Sequence, residues 1–459
     1  MWTGDDTLLV TYALIAIFTV VGLVVVLKLH PFLALVIGAL TMGVLAGLAP
    51  DKLIESFTAG AGDTLGTVGI ILALGTMLGK LLAESGGAER IATTILDRSG
   101  DDRVPWAMAV VAMIVGIPLF FEIGVVLLIP IIFTMAARVH ARAPEGTDRG
   151  QTYLLVGIPA LAGLSVLHGL VPPHPGPLIA IDALKADIGT TILYGFVIAV
   201  PTVAIAGPVF GKYASRWATS NPPQELLDQV AKDTTHDNPP GFGVTIFTVL
   251  LPVFIMLART VADVSFDEDD KVRQWADFIG DPIMALLIGV LVALYTFGFA
   301  RGFDRDNISG FLGASLPPTA AILLIIGAGG GFKGVLVDSG IGDAIAKGVE
   351  SADISALILG WLVAVLIRLA TGSATVATVT AAGIMAPIVA GGVAVDRPLL
   401  ALAIGAGSLF FSHVNDAGFW LINQYFGMSV PDTIKTWSVM ETIISVVGLI
   451  GVLLLSLVV

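Results

Sequence analysis

Long apolar runs, separated by short polar connections, recur from one end of this chain to the other. Leu8–Leu27, Phe32–Leu48, Thr190–Phe210, Phe242–Leu257, Pro282–Ala300 and Val439–Val459 each read as a spanning helix. About 20 apolar residues rising 1.5 Å apiece cover the roughly 30 Å of bilayer hydrocarbon. Other runs break that rule. Val104–Ala137 is too long for one crossing, is flanked by Arg103 and Arg138, and carries Gly116, Pro118 and Gly124 in its middle. A re-entrant helical hairpin accounts for both features, with its tip at Gly116–Gly124. Ile354–Val393 reads the same way, with a tip around Thr371–Thr375. Each hairpin is followed by an interrupted helix, at His168–Pro177 in the first case and Ser412–Gly418 in the second. The pattern predicts an all-α polytopic membrane protein.

The same elements suggest two halves. The longest polar stretch, Lys212–Pro240, contains Asn221-Pro222-Pro223 and Asn238-Pro239-Pro240, which is linker chemistry. Shifting the chain by 254 residues (54 to 308) lays Ile54-Glu55-Ser56-Phe57 on Ile308-Ser309-Gly310-Phe311. The same register lays Glu84-Ser85-Gly86 on Asp338-Ser339-Gly340 and Ile91-Ala92 on Ile345-Ala346. Internal repeats of this size belong to secondary transporters. The predicted division is a first repeat over residues 1–215, a cytoplasmic linker over 216–240 and a second repeat over 241–459. With the N-terminus outside and Leu8–Leu27 running inward, most basic residues fall on the cytoplasmic side, including Lys28, Arg90, Arg98, Arg103, Arg138, Arg142, Arg149 and Lys212. Lys80, Lys333 and Arg368 stay at membrane depth. The first helix of half two then runs outward, so the repeat is inverted.

Composition sharpens this picture. Charged residues are 13% of the chain, hydrophobic residues 56%, and the mean hydropathy is +0.93; a soluble domain carries about 25% charge. The net charge of −13 decides little by itself, because in a membrane protein the location of each charge matters more than the sum; no nucleic-acid partner is expected. Cysteine is absent, which excludes disulfides, thiolate metal sites and thiol catalysis. Asp5 and Asp6 precede the first apolar run where a signal peptide would have a basic segment, so no cleaved leader is expected.

The breaks are where chemistry belongs. Non-helical backbone at membrane depth leaves N–H and C=O groups that only protein, water or ligand can satisfy. A half-helix amino end suits a carboxylate, while unwound carbonyls and carboxylates suit a proton or Na⁺. Glu122, among Phe120, Phe121 and Ile123, is a candidate proton carrier or a structural carboxyl capping the tip. Asp416, with Ser412, His413 and Asn415, is a candidate for proton or substrate contact; these residues equally suit capping two half-helices. His168 and His174 flank a Pro-rich break and are candidates for substrate or proton contact. No cysteine or nearby carboxylate completes a metal set around them, and neither a metal nor another cofactor is expected. Arg368 either holds a substrate carboxylate or pairs internally with Asp416 or Glu122. Thr371, Gly372, Ser373, Thr375 and Thr378 form a hydroxyl-rich tip that reads a polyol, unless the hydroxyls bond back to helix carbonyls. Gly327–Gly331 lacks the spacing of a phosphate loop and reads as close helix packing or a joint, with Lys333 pairing with Asp338.

Four of these stretches carry a family resemblance. Gly329-Gly-Gly-Phe-Lys333 with Val337-Asp-Ser-Gly340, Ala370–Ala377, Ser412–Trp420 and His168–Pro177 resemble the gluconate permease (GntP) family over essentially the whole chain. The resemblance implies proton symport of gluconate or a relative such as idonate, fructuronate, glycerate or D-serine. It further implies the ion-transporter superfamily fold, with two inverted repeats, a homodimer and an elevator-type motion. The expected partners are a small carboxylate, protons and the lipid bilayer, in the bacterial cytoplasmic membrane. A Na⁺-coupled carboxylate carrier of the same fold is the alternative. An ion channel is disfavoured by the broken segments, and no nucleophile–base pair or metal set points to an enzyme.

Overall fold

The computed structural model describes residues 3–142, 147–224, 227, 238–267, 269–341, 344, 355–414 and 416–459. Among the described residues every regular element is helical, in line with the all-α reading. The first half holds α1 (Gly4–Val25), α2 (Pro31–Leu45), α3 (Pro50–Glu84), α4 (Gly87–Ser99), α5 (Val104–Gly116), α6 (Phe121–His140), α7 (Arg149–Leu170), α8 (Pro175–Leu184) and α9 (Ile188–Ala214). The second holds α10 (Phe242–Ser265), α11 (Lys271–Ile279), α12 (Pro282–Arg301), α13 (Arg305–Ser315), α14 (Ala320–Asp338), α15 (Ala356–Thr371), α16 (Ala374–Ala390), α17 (Arg397–Ser408), α18 (Ala417–Tyr425) and α19 (Val430–Leu455). Single π-turns interrupt α3, α9, α12 and α19.

Length and burial sort these helices. Nine segments among the described residues are long and apolar enough to cross a membrane. The 13 residues of α5 span only about 20 Å, and α15 and α16 are also short of a full crossing. Each short helix turns back at a tip, Ile117–Phe120 between α5 and α6 and Gly372–Ser373 between α15 and α16. Gly372 sits at φ +72°, which an L side chain rarely adopts. At the periphery, α1 has 18% of its apolar window buried, so its aliphatic side chains face outward, where lipid tails solvate them. The α7–α8 segment has 89% buried. A helix apolar all round belongs in the core, and α7 packs against α5, α6, α9, α17 and α19.

Two close approaches lock the centre. The Gly-rich stretch of α14 is continuous helix, and it lies against α3 so closely that a Cβ at Gly330 would stand 2.5 Å from the Gly60 carbonyl. Close packing is therefore its use. Where α7 and α17 end, a Cβ at Gly405 would fall 1.9 Å from the Gly169 carbonyl. The two interrupted helices cross next to their breaks, Val171–His174 and Leu409–Asp416.

Lys333 pairs with Asp182 at 3.3 Å, and not with Asp338. Five residues apart on a helix, Lys333 and Asp338 point about 140° away from each other. Asp338 instead accepts from the Ser56 hydroxyl at 2.5 Å and faces Lys52 at 3.6 Å. Of the expected linker, residues 225, 226 and 228–237 lie outside the described residues, as do Ile345 and Ala346 of the repeat register. The linker's start is tied to the second half, with Ser220 Oγ donating to the Phe426 carbonyl at 2.8 Å.

Candidate substrate site

A cavity of about 270 Å³ lies where the two tips meet the core helix α7. The first tip contributes Phe121 and Glu122, and α7 contributes Ser165 and His168. Arg368 and Thr371–Thr375 come from the second tip. Leu409 and Asp416–Gly418 come from the second break, and Trp437 and Glu441 from α19. Drug-sized ligands occupy about 300–1,000 Å³, so this space suits a smaller molecule.

Three helices begin at its wall. Phe121 and Glu122 open α6, Ala374 and Thr375 open α16, and Ala417 and Gly418 open α18. The first turn of α6 has no side-chain cap, so its N–H groups are unsatisfied and its positive dipole end faces the cavity. Ser373 caps α16 through Val376 N at 3.3 Å, and Asp416 caps α18 through Gly418 N at 2.9 Å. Convergent amino ends form an anion cradle.

Arg368 and Asp416 anchor one side. The guanidinium is 4% exposed; Nη2 donates to Asp416 Oδ2 at 2.5 Å and Nη1 to the Gly372 carbonyl at 2.6 Å. Among the described residues its Nε has no partner. Asp416 also accepts from the Ser412 hydroxyl, which receives the Trp437 indole N–H at 2.7 Å. One ion pair thus ties the second tip to the second break. Among the described residues, two further buried atoms of residues lining this cavity lack hydrogen-bond partners, His168 Nδ1 and Glu441 Oε1.

The family profile described as "GntP family permease" matches residues 8–458. The chain belongs to the GntP permease family. It is 56% identical to a gluconate permease of Pseudomonas aeruginosa, over 96% of this chain and 97% of that one. It is 44% identical to a high-affinity gluconate transporter of Escherichia coli, covering 97% and 98%, and 41% identical to that organism's L-idonate transporter of the Gnt-II system, covering 94% of each. The fold is shared with the YdaH transporter of Alcanivorax borkumensis, at TM-score 0.59, 15% identity and coverage of 93% and 97%. It is likewise shared with MtrF of Neisseria gonorrhoeae, at TM-score 0.61, 14% identity and coverage of 92% and 93%. The protein is a multi-pass membrane permease and not an enzyme.

The permease brings together eight residues that the sequence singles out: Glu122, His168, Arg368, Thr371, Gly372, Ser373, Thr375 and Asp416. Thr371 and Thr378 bond back to the Ile367 and Ala374 carbonyls at 2.9 Å each. Among the described residues, Thr375 Oγ1 has no protein partner, which leaves it free for ligand. Ser412 stands behind Asp416, outside the cavity lining. His413 bonds to the Leu369 carbonyl at 3.2 Å, bracing the second tip. His174 is placed elsewhere, in a separate space of about 10 Å³ with Leu72, Gly75 and Ile117–Phe120. Its ring centroid is 5.9 Å from that of His168. Asn415 lies outside the described residues. Sequence reasoning missed Ser165, Trp437 and Glu441. The available signal was Glu441 itself, a carboxyl within an apolar spanning run.

Proposed function

We propose that this permease carries gluconate or a closely related sugar acid across the bacterial cytoplasmic membrane together with a proton. The observation that carries the reading is the pair of helix amino ends, α6 and α16, beside Arg368, open to Thr375 Oγ1 and His168, with the end of α18 already capped by Asp416. A carboxylate seats against the N–H groups of α6 and α16, held in place by the pair of Arg368 with Asp416. The sugar hydroxyls meet Thr375, His168 and Ser165. Relatives named for gluconate and L-idonate, at 41–56% identity over nearly the whole chain, support this substrate class. Glu122 lines the cavity and is exposed to water.

The proposal extends to how the site moves. An internal repeat is supported by element order: long helix, tip-forming pair, interrupted helix and long helix occur at α3, α5–α6, α7–α8 and α9 and again at α14, α15–α16, α17–α18 and α19, and its inversion by the distribution of basic residues along the sequence. In this reading the tips and broken helices form a transport unit that slides as an elevator against a scaffold. The N-terminus lies outside, as the distribution of basic residues favours, and two copies associate through scaffold helices near the start of each half.

The test is uptake of labelled gluconate into vesicles carrying the purified permease. An inward proton gradient is expected to drive accumulation, with idonate competing and Na⁺ replaceable by choline without loss. Accumulation that follows Na⁺ instead would replace the proton by sodium in this scheme. No saturable gluconate uptake under either gradient would overturn the substrate.

A further inference from the structure

We propose that Glu441 is the carboxyl group on which the co-transported proton rides, an inference that rests on the proton-coupled reading above. α19 runs Val430–Leu455 through a π-turn at Ile434–Ser438, and Glu441 lies less than one turn beyond it. The side chain is 1% exposed and lines the cavity, with Oε1 unpartnered. Five groups share its cavity from the surrounding elements: Ser165 and His168 on α7, Arg368 on α15, Asp416 at the second break and Glu122 on α6. Among the described residues no cation forms a salt bridge with Glu441, and Arg368 is already engaged by Asp416 and the Gly372 carbonyl.

This placement separates Glu441 from the other two carboxyls. Asp416 accepts from Arg368, Ser412 and Gly418, so its oxygens are committed to holding the tip and the break together. Glu122 is exposed, so water solvates its charge directly. Glu441 is buried with only the Ser165 hydroxyl beside it and no cation paired to it among the described residues, and an unpaired carboxylate is costly in such a place. Substrate binding adds a further negative charge to a cavity already lined by Glu122, Asp416 and Glu441. The neutral acid is then the form that can share the space, so anion and proton favour each other's binding reciprocally. The step is a transfer of one proton from water to a Glu441 carboxylate oxygen, reversed when the cavity empties on the far side.

The experiment compares the native permease with Glu441→Gln and Glu441→Asp in reconstituted vesicles, using labelled gluconate. Counterflow, which exchanges substrate without net proton movement, is expected to remain measurable in Glu441→Gln, whose neutral amide stands in for the protonated acid, even where substrate affinity shifts. Accumulation driven by a one-unit pH gradient, which supports about tenfold concentration at one proton per substrate, is expected to fall to equilibration in that variant. Glu441→Asp is expected to recover part of it. Native-like gradient-driven accumulation in Glu441→Gln overturns the proposal. So does equal loss of counterflow in both variants, which makes the group structural. If the native permease itself accumulates no gluconate with the proton gradient, the parent reading fails, and that result is distinct from either of these.

Discussion

The two helix breaks occupy corresponding places in the element order and are built from different chemistry. The break at Val171–His174 is made by covalent restriction. Pro172, Pro173, Pro175 and Pro177 end one helix and start the next, because proline lacks an N–H and disfavours helix in the residue before it. It is sealed: His174 is 2% exposed beside a space of about 10 Å³. The break at Leu409–Asp416 contains no proline. It stands on side chains, with Asp416 capping α18 and Ser412 and Arg368 holding Asp416. A break held open by charged groups also offers charge to a ligand, and this one borders the 270 Å³ cavity. Similar architecture thus leaves one site closed and apolar, the other open and polar.

The largest expected effect comes from removing the side chains that hold the second break. Arg368→Ala strands Asp416, and Asp416→Ala strands Arg368, each in a buried setting. Breaking such a pair costs about 3–5 kcal/mol. Each variant is expected to lower gluconate uptake by roughly 100-fold or more and to reduce the thermal midpoint in detergent. The matched change in the first break, His174→Leu, is expected to leave uptake within about threefold, because the prolines hold that break without it. Equal losses from the two breaks would erase the contrast.

A smaller effect tests whether the two breaks are mechanically joined. Gly405→Ala places a methyl 1.9 Å from the Gly169 carbonyl, a backbone atom that cannot rotate aside. Overpacking of this kind costs about 1–3 kcal/mol. Gly310→Ala on α13 meets nothing within 4 Å and serves as control. Gly405→Ala is expected to lower both the thermal midpoint and uptake, and Gly310→Ala neither. A normal midpoint in Gly405→Ala would show that the α7–α17 crossing is looser than its geometry.

Much of this layout was legible in the sequence, and for identifiable reasons. Proline and glycine at membrane depth mark the first tip and the first break, and glycine with Ser, Asn and Asp marks the second tip and break, close to their observed limits. Side-chain assignments were less legible. His168 and His174 looked equivalent, but the break re-aims the chain between them, and only His168 reaches the cavity. Lys333 was assigned a partner by proximity along the helix, where angular position decides and leads to Asp182. Ser165 lies in an apolar run, and Glu441 resembles an interfacial residue at the start of a spanning helix. Their meeting depends on how α7 and α19 pack, and no local pattern records that.

The finest distinction lies within the second tip, among hydroxyls that look alike in sequence. Thr371 and Thr378 donate to helix carbonyls at 2.9 Å, while Thr375 Oγ1, on the cavity wall, has no protein partner. Replacing threonine by valine keeps the shape and removes the hydroxyl. A hydrogen bond to substrate contributes about 1 kcal/mol net, so Thr375→Val is expected to raise the KM for gluconate about fivefold. Thr371→Val and Thr378→Val lose only a local back-bond, of the kind that slightly weakens a helix, and their KM is expected to change by less than twofold. The difference should shrink for a substrate analogue lacking the hydroxyl that Thr375 meets. A KM shift in Thr371→Val as large as in Thr375→Val would mean that the tip reads substrate through its backbone geometry and not through this one hydroxyl.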